Sequence, residues 1–276
     1  MLKRISFSLF LLIGAWSQAK PAFSQALLPY TLPLDEERLQ ADGESLARDA
    51  AQLAQFAQYD EALARAQLAA LLLPGDADIL ALLGSLYLQA SEPQPTQAIV
   101  TLERAKALQP ENPLVMFALG NAYFSEGSYA QAAQSIEDGL KLEPDNANAL
   151  FDLGNAYYKL AQYDKAIDHY EQSVGNNAEF WPAVNNNGLV MYEARDVDGA
   201  IAKWQEALTL AGTEETEPQL AIAVARFAQG SQDVNDTNTA IAGLERDPRY
   251  AEISFLEDNL WCEQLITATQ QFFNTP

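Results

Sequence analysis

Apolar residues recur at three- and four-residue spacing through most of the chain, and the pattern is clearest between residues 113 and 146. This stretch holds two apolar stripes, the first made of Met116, Leu119 and Tyr123 and the second of Ala132, Ala133, Ile136 and Leu140. Each stripe predicts an amphipathic helix. The segment Glu126-Gly127-Ser128 interrupts the first helix because glycine weakens a helix and serine favours the start of the next. Pro144 ends the second helix, so the stretch predicts a helical hairpin.

The same predicted hairpin occurs again 34 residues further along the chain. The segment Leu119-Gly120-Asn121-Ala122-Tyr123 recurs as Leu153-Gly154-Asn155-Ala156-Tyr157. Gly120 and Ala132 are small at the positions where two antiparallel helices would touch, so the two backbones can approach closely. One hairpin cannot bury its own apolar face, and its stability therefore requires stacked neighbours.

A period of about 34 residues that carries Leu-Gly, tyrosine, alanine, a large apolar residue and proline resembles the tetratricopeptide repeat (TPR) family. The resemblance covers roughly residues 43–250 and implies an all-α fold, a solenoid of about six helical hairpins. The expected repeats are 43–76, 77–112, 113–146, 147–180, 181–214 and 217–250. Residues 251–276 have apolar positions at helical spacing, which predicts a C-terminal capping helix and a tail that cover the core of the last repeat. The polar turn at 232–239 is expected to be loose.

The first 26 residues have the three parts of a secretory signal peptide. Lys3-Arg4 supplies the positive start, Ile5–Trp16 is a short apolar run, and Ser24-Gln25-Ala26 offers small residues at a cleavage site. An uncleaved membrane anchor is the alternative, although this run is shorter than the roughly 20 residues of a spanning helix. Residues 27–42 form a lead-in to the solenoid.

The C-terminal stretch indicates in which cellular compartment the protein is expected. Residues 247–273 resemble the tails of exported TPR proteins from cyanobacteria, which implies an exported protein of the periplasm, or of the thylakoid lumen in a cyanobacterium. No tight membrane insertion is expected once the signal peptide is removed.

Composition restricts the classes of partner. The 276 residues include 16 Lys and Arg against 38 Asp and Glu, for a net charge of −22. Such a chain repels phosphate backbones, so nucleic-acid binding is not expected. A single cysteine, Cys262, excludes an internal disulfide bond.

Residues able to perform chemistry are sparse in the sequence. No phosphate-binding glycine loop, Gly-x-Ser-x-Gly segment or His-Glu-x-x-His segment occurs. Asp164 and Asp168 lie beside the only histidine, His169, at a spacing that a metal site could use, but a solvated helix face explains them more simply. Cys262 is interpreted as a small buried residue of the cap, with a reactive thiol as the alternative. The sequence thus predicts a protein that is not an enzyme and needs no cofactor or metal.

The TPR resemblance implies that the first helix of each repeat lines a concave groove, with its second, fifth, ninth and twelfth positions facing inward. The candidate groove residues at these positions are Phe117, Asn121, Phe124, Asn148, Phe151, Asn155, Tyr158, Asn185 and Tyr192. An asparagine amide both donates and accepts hydrogen bonds, so Asn121 and Asn155 could bind the backbone of an extended peptide. The aromatic residues would supply contact area for its side chains. The alternative is that some of these aromatic side chains pack between adjacent first helices as part of the core.

These patterns predict a scaffold that binds a segment of another protein and takes part in the assembly of an envelope or photosynthetic membrane complex. TPR domains that hold a C-terminal carboxylate use Lys and Arg in the groove, and this chain has none at the comparable positions, which are Leu114, Ala118, Asn148, Asp152, Pro182 and Asn186. The alternative is a homo-oligomer, a self-association module whose groove is filled by residues 27–34 of a second copy.

Overall fold

The structure is a computed structural model, and it describes residues 35–275. Residues 37–275 belong to one compact unit. A second unit, residues 1–36, is described only at Asp35 and Glu36. The predicted signal peptide and the lead-in up to residue 34 therefore lie outside the described residues.

The described residues form fourteen α-helices and one short 3₁₀ helix, Pro248–Ala251. The helices are α1 (Glu36–Gln55), α2 (Tyr59–Leu72), α3 (Ala77–Gln89), α4 (Pro95–Leu108), α5 (Pro113–Ser125), α6 (Tyr129–Leu140), α7 (Ala147–Lys159), α8 (Tyr163–Asn176), α9 (Trp181–Glu193), α10 (Val197–Ala211), α11 (Thr216–Ala228), α12 (Val234–Arg246), α13 (Ile253–Asp258) and α14 (Glu263–Phe273). The first twelve form six consecutive hairpins, which confirms the predicted all-α solenoid. None of these helices combines the length and apolar composition that a membrane crossing requires.

Local sequence sets where each hairpin begins and turns. Asp76, Asn112 and Asn146 precede α3, α5 and α7, and each side chain accepts a hydrogen bond from a backbone N–H of the first helical turn. The turn inside five of the six hairpins has one residue with positive φ, at Ala57, Gly127, Ala161, Arg195 and Gly230. A left-handed residue there ends the first helix and redirects the chain into the second.

The two helices of a hairpin are held close by one glycine facing one large side chain. A Cβ atom on Gly84, Gly120, Gly154 or Gly188 would lie only 2.4–2.5 Å from the side chain of Leu102, Ile136, Tyr170 or Trp204, respectively. The facing side chains are almost completely buried. The Leu-Gly signature of the sequence is therefore a packing requirement, because only glycine leaves room for the side chain opposite.

The first helices of neighbouring repeats pack directly against one another, α3 on α5, α5 on α7 and α7 on α9. They form one side of the solenoid, which we call the inner face. Helix α14 contacts both α9 and α11, so the C-terminal segment lies across the inner face as well as over the last repeat.

Two local predictions differ from the structure. The turn expected to be loose through residue 239 is already helical from Val234, because Asp233 caps α12 by accepting a hydrogen bond from the Asn235 N–H at 2.8 Å. The cap expected as one helix is two helices, α13 and α14. Leu260, with a φ of 68°, redirects the chain between them, and this turn brings Trp261 into the core.

Candidate functional site

The inner face contains a cavity of about 380 Å³ that we call the inner pocket. Helices α5, α7, α9 and α11 form one side of it, and the turn that follows α13 forms the other. Its lining residues are Phe124, Phe151, Asn155, Trp181, Pro182, Asn185, Asn186, Glu217, Tyr250, Asp258, Asn259 and Leu260. None of these residues is basic, and two carry carboxyl groups.

Four of the nine candidate groove residues line this pocket, namely Phe124, Phe151, Asn155 and Asn185. Phe151 is half-buried, and its ring is 5.3 Å from that of Phe180 and 5.8 Å from that of Tyr170. Phe124 is also half-buried and meets Tyr129 edge to face at 5.2 Å. Neighbouring rings thus fix both aromatic walls while leaving part of each surface open to the pocket.

Asparagine side chains link adjacent first helices in a regular pattern. The Asn121 amide on α5 interacts with the Asp152 carboxyl on α7 and favours its charged form. One repeat later, the Asn155 Oδ1 accepts from Asn186 Nδ2 at 2.9 Å and from the Tyr170 hydroxyl at 2.7 Å. The Asn155 oxygen is therefore already used within the chain. We expected Asn155 both to donate to a peptide backbone and to accept from it. Only the donation from its Nδ2 remains available.

The floor of the pocket is built around Glu217, a buried residue of α11. Its carboxylate accepts from Trp261 Nε1 at 3.0 Å and from the Tyr250 hydroxyl at 3.3 Å. Burial raises the pKa of the Glu217 carboxyl above its usual range, although these hydrogen bonds oppose the shift. The C-terminal segment thus supplies two of the groups that hold this carboxyl in place.

Asn185 belongs to the same floor and is 1% exposed. Its Nδ2 donates to the Asn186 Oδ1 at 3.2 Å. Its own Oδ1 is buried and has no hydrogen-bond partner among the described residues.

Five candidate residues do not reach the inner pocket. Phe117 is buried against α6, where its ring occupies the space that a Cβ on Gly139 would need. Tyr158 and Tyr192 are buried in the core cluster that also contains Trp261 and Leu265 of the C-terminal segment. Asn121 and Asn148 are exposed. Phe117, Tyr158 and Tyr192 are therefore core side chains and not groove residues.

Sequence reasoning missed other parts of the pocket. Tyr250, Asp258, Asn259 and Leu260 come from the C-terminal segment, which the repeat pattern does not place. Glu217 and Asn186 carried a signal that could have been used, because each is a polar residue at a buried position of a first helix. Buried polar groups that interrupt an otherwise apolar pattern often mark functional sites.

The residues considered for chemistry, Asp164, Asp168, His169 and Cys262, are not among those that line this pocket. Burial lowers the pKa of His169, whose ring stacks on Tyr157 at 5.4 Å. Burial raises the pKa of the Cys262 thiol to about 12, so the thiol stays protonated at neutral pH.

Comparison with known proteins identifies the repeats. The family model described as tetratricopeptide repeat matches three overlapping stretches, residues 94–147, 117–179 and 151–215. Residues 94–215 therefore contain TPR repeats. Comparison with curated proteins gave no match.

Solved structures of similar fold support this assignment. PilF of Pseudomonas aeruginosa is 18% identical with a TM-score of 0.59, over 82% of this chain and 98% of its own. MamA from Desulfovibrio magneticus RS-1 is 17% identical with a TM-score of 0.55, over 63% of this chain and 97% of its own. YrrB, described as a TPR protein with an unusual peptide-binding site, is 17% identical with a TM-score of 0.53, over 71% of this chain and 95% of its own. At these identities the likeness establishes the fold alone.

We expect the Asp152→Asn substitution to stabilise the protein at neutral pH. Burial raises the pKa of Asp152 from 3.8 to about 6, against the interaction with Asn121. The folded state therefore binds this proton more tightly than the unfolded state, and the free energy of unfolding falls as pH rises from about 4 to about 6. The variant should lack that part of the decline and be more stable by about 1 kcal/mol at pH 7, with little difference at pH 4.

Urea unfolding of both proteins at pH 4, 5, 6 and 7 measures this difference. Asp145→Asn, at an exposed position before α7, is the matched control and should keep the wild-type pH profile. Superimposable profiles for wild type and Asp152→Asn would contradict the assigned shift.

Proposed function

We propose that this protein is a non-enzymatic scaffold that binds an extended segment of another protein on the inner face of its TPR solenoid. The observation that carries the proposal is the inner pocket, where partly exposed aromatic rings surround buried polar groups. Ligand sites in proteins commonly combine apolar walls with a few fixed polar groups. The pocket lies on the side formed by the first helices, which is the side on which the TPR resemblance predicts peptide binding.

Two further observations support a protein partner. Aromatic side chains such as Phe151 and Trp181, which line the pocket, are the residue types that most often dominate interface energetics. YrrB, a protein of similar fold, is described as having a peptide-binding site. The net charge of −22 favours encounter with basic segments, although salt screens that attraction beyond about 8–10 Å.

The setting we propose is an exported compartment, the periplasm or, in a cyanobacterium, the thylakoid lumen. There the protein would act as an assembly factor for an envelope or photosynthetic membrane complex. The signal-like residues 1–26 and the resemblance of residues 247–273 to exported TPR proteins support this setting.

Selection from a random peptide library tests the proposed function. Purified wild-type protein and a Phe124→Ala/Trp181→Ala double variant would each be used to select peptides. Peptides enriched on the wild type would then be measured on both by fluorescence anisotropy. We expect the double variant to bind these peptides more than about tenfold more weakly, because each aromatic anchor typically contributes over 1 kcal/mol.

Two controls make that result specific. Phe56→Ala removes an aromatic side chain that is 69% exposed and outside the pocket, and it should leave binding unchanged. Circular dichroism must give the same helix content for all proteins. Equal binding by wild type and double variant, or no enrichment at all, would refute binding at this pocket. A dimer by light scattering that becomes a monomer on deletion of residues 27–34 would instead assign the inner face to a second copy.

A further inference from the structure

We propose that the inner pocket binds a basic side chain, lysine or arginine, of the partner's extended segment. This inference rests on the proposed function and specifies the chemistry that the partner must present. It reverses the charge pattern of TPR grooves that hold a carboxylate, because this pocket offers acceptors and no cation.

The acceptors of the pocket are incompletely satisfied. The Glu217 carboxylate has about four lone-pair positions, and it accepts hydrogen bonds from Trp261 and Tyr250. At least one position is left for a further donor. Asp258, exposed at the end of α13, adds a second carboxylate to the lining.

The Asn185 side chain adds a second acceptor that lacks a hydrogen-bond donor. Its amide nitrogen donates to the Asn186 Oδ1 at 3.2 Å. Turning this amide around would lose that bond. The Asn185 Oδ1 is buried and without a partner among the described residues. A buried acceptor of this kind costs free energy until a donor reaches it.

The walls favour a donor that is also a cation. Phe124, Phe151, Trp181 and Tyr250 line the pocket, and aromatic faces attract ammonium and guanidinium groups. They also cover the apolar stem of a long basic side chain. A carboxylate or phosphate would be repelled by Glu217 and Asp258, and an apolar side chain would leave the Asn185 oxygen unpaired. Lysine and arginine satisfy the charge, the acceptors and the aromatic walls together.

The test begins with the peptides selected on the wild-type protein. We expect lysine or arginine to be enriched at one position. Each selected peptide is then synthesised with that residue replaced by an uncharged analogue of similar shape, norleucine for lysine or citrulline for arginine. The replacement should weaken binding at least about tenfold, as expected when one partner of a desolvated charge pair is lost.

Variants of the pocket locate the effect. Glu217→Gln and Asp258→Asn should each reduce the preference for the basic peptide over its analogue. The matched controls Glu111→Gln and Asp145→Asn, both exposed outside the pocket, change the total charge equally and should preserve the preference. If Glu217→Gln fails to fold, Asp258→Asn and the analogue peptides on the wild-type protein still decide the result.

The outcomes separate this inference from the proposed function. Peptides that need the Phe124 and Trp181 side chains but bind equally with norleucine or citrulline would overturn the inference and leave the scaffold function standing. A basic preference that is lost equally in the matched controls would show a general charge effect and would also overturn it. Absence of any enriched peptide would overturn the proposed function itself.

Discussion

Replacing Trp204 with alanine should lower the free energy of unfolding by about 4 kcal/mol, the largest effect of any single substitution considered for this protein. Trp204 is 0% exposed and fills the space opposite Gly188 between α9 and α10. Its indole nitrogen also donates to the Asn185 backbone carbonyl at 3.1 Å. The substitution therefore leaves a large cavity and removes this hydrogen bond beneath the floor of the inner pocket.

Chemical denaturation followed by circular dichroism measures this loss, and two further variants separate its causes. Trp204→Phe keeps much of the ring volume but removes the indole N–H, so it should lose less stability than the alanine variant. Leu71→Ala removes a side chain that is 76% exposed and should change stability by less than about 0.5 kcal/mol. A Trp204→Ala protein as stable as Leu71→Ala would contradict the packing described for the fifth hairpin.

Replacing Gly154 with alanine should destabilise the protein by about 2 kcal/mol, although alanine normally favours a helix. The new Cβ would lie 2.5 Å from the ring of Tyr170. Tyr170 is 0% exposed and its hydroxyl donates to Asn155 at 2.7 Å, so the ring cannot move aside without breaking that bond. The clash must be relieved by separating α7 from α8.

Gly175→Ala is the matched control for this substitution. Gly175 also lies in a helix, near the end of α8, but a Cβ there would meet no atom within 4 Å. The control should be neutral or stabilising by about 0.5 kcal/mol. Thermal unfolding of both variants gives the comparison, and equal stabilities would contradict the close approach of α7 and α8.

The Gly154→Ala substitution links the fold to the candidate site. A displaced Tyr170 would release the Asn155 Oδ1, which also holds Asn186 at the pocket. We expect selected peptides to bind the variant more weakly even where most of the protein remains folded. Packing inside one hairpin thus sets the geometry of a pocket shared by several repeats.

The C-terminal segment does more than cover the core of the last repeat, because it also forms part of the inner pocket. Trp261 and Tyr250 hold the Glu217 carboxylate, and residues 258–260 form one wall of the pocket. The pocket therefore exists only when this segment is folded onto the inner face.

The sequence analysis identified the candidate residues on the side of the pocket that the repeats form. Phe124, Phe151, Asn155 and Asn185 were identified because a 34-residue period assigns each residue a fixed position on its helix. The same rule placed Phe117, Tyr158 and Tyr192 in the groove. Whether such a position faces solvent depends on what packs beside it, and a repeat period contains no information about that neighbour.

The sequence by itself determined the helices, the hairpins and their stacking, because these depend on local periodicity, capping residues and the glycine that each hairpin requires. Only the tertiary structure decided which side chains of the inner face are available. Burial of Tyr158 and Tyr192 beneath the C-terminal segment, and the meeting of Glu217 with Trp261, 44 residues away along the chain, are long-range contacts. Such contacts arise when a non-repeating segment covers apolar surface that the solenoid leaves open, so no local pattern encodes them.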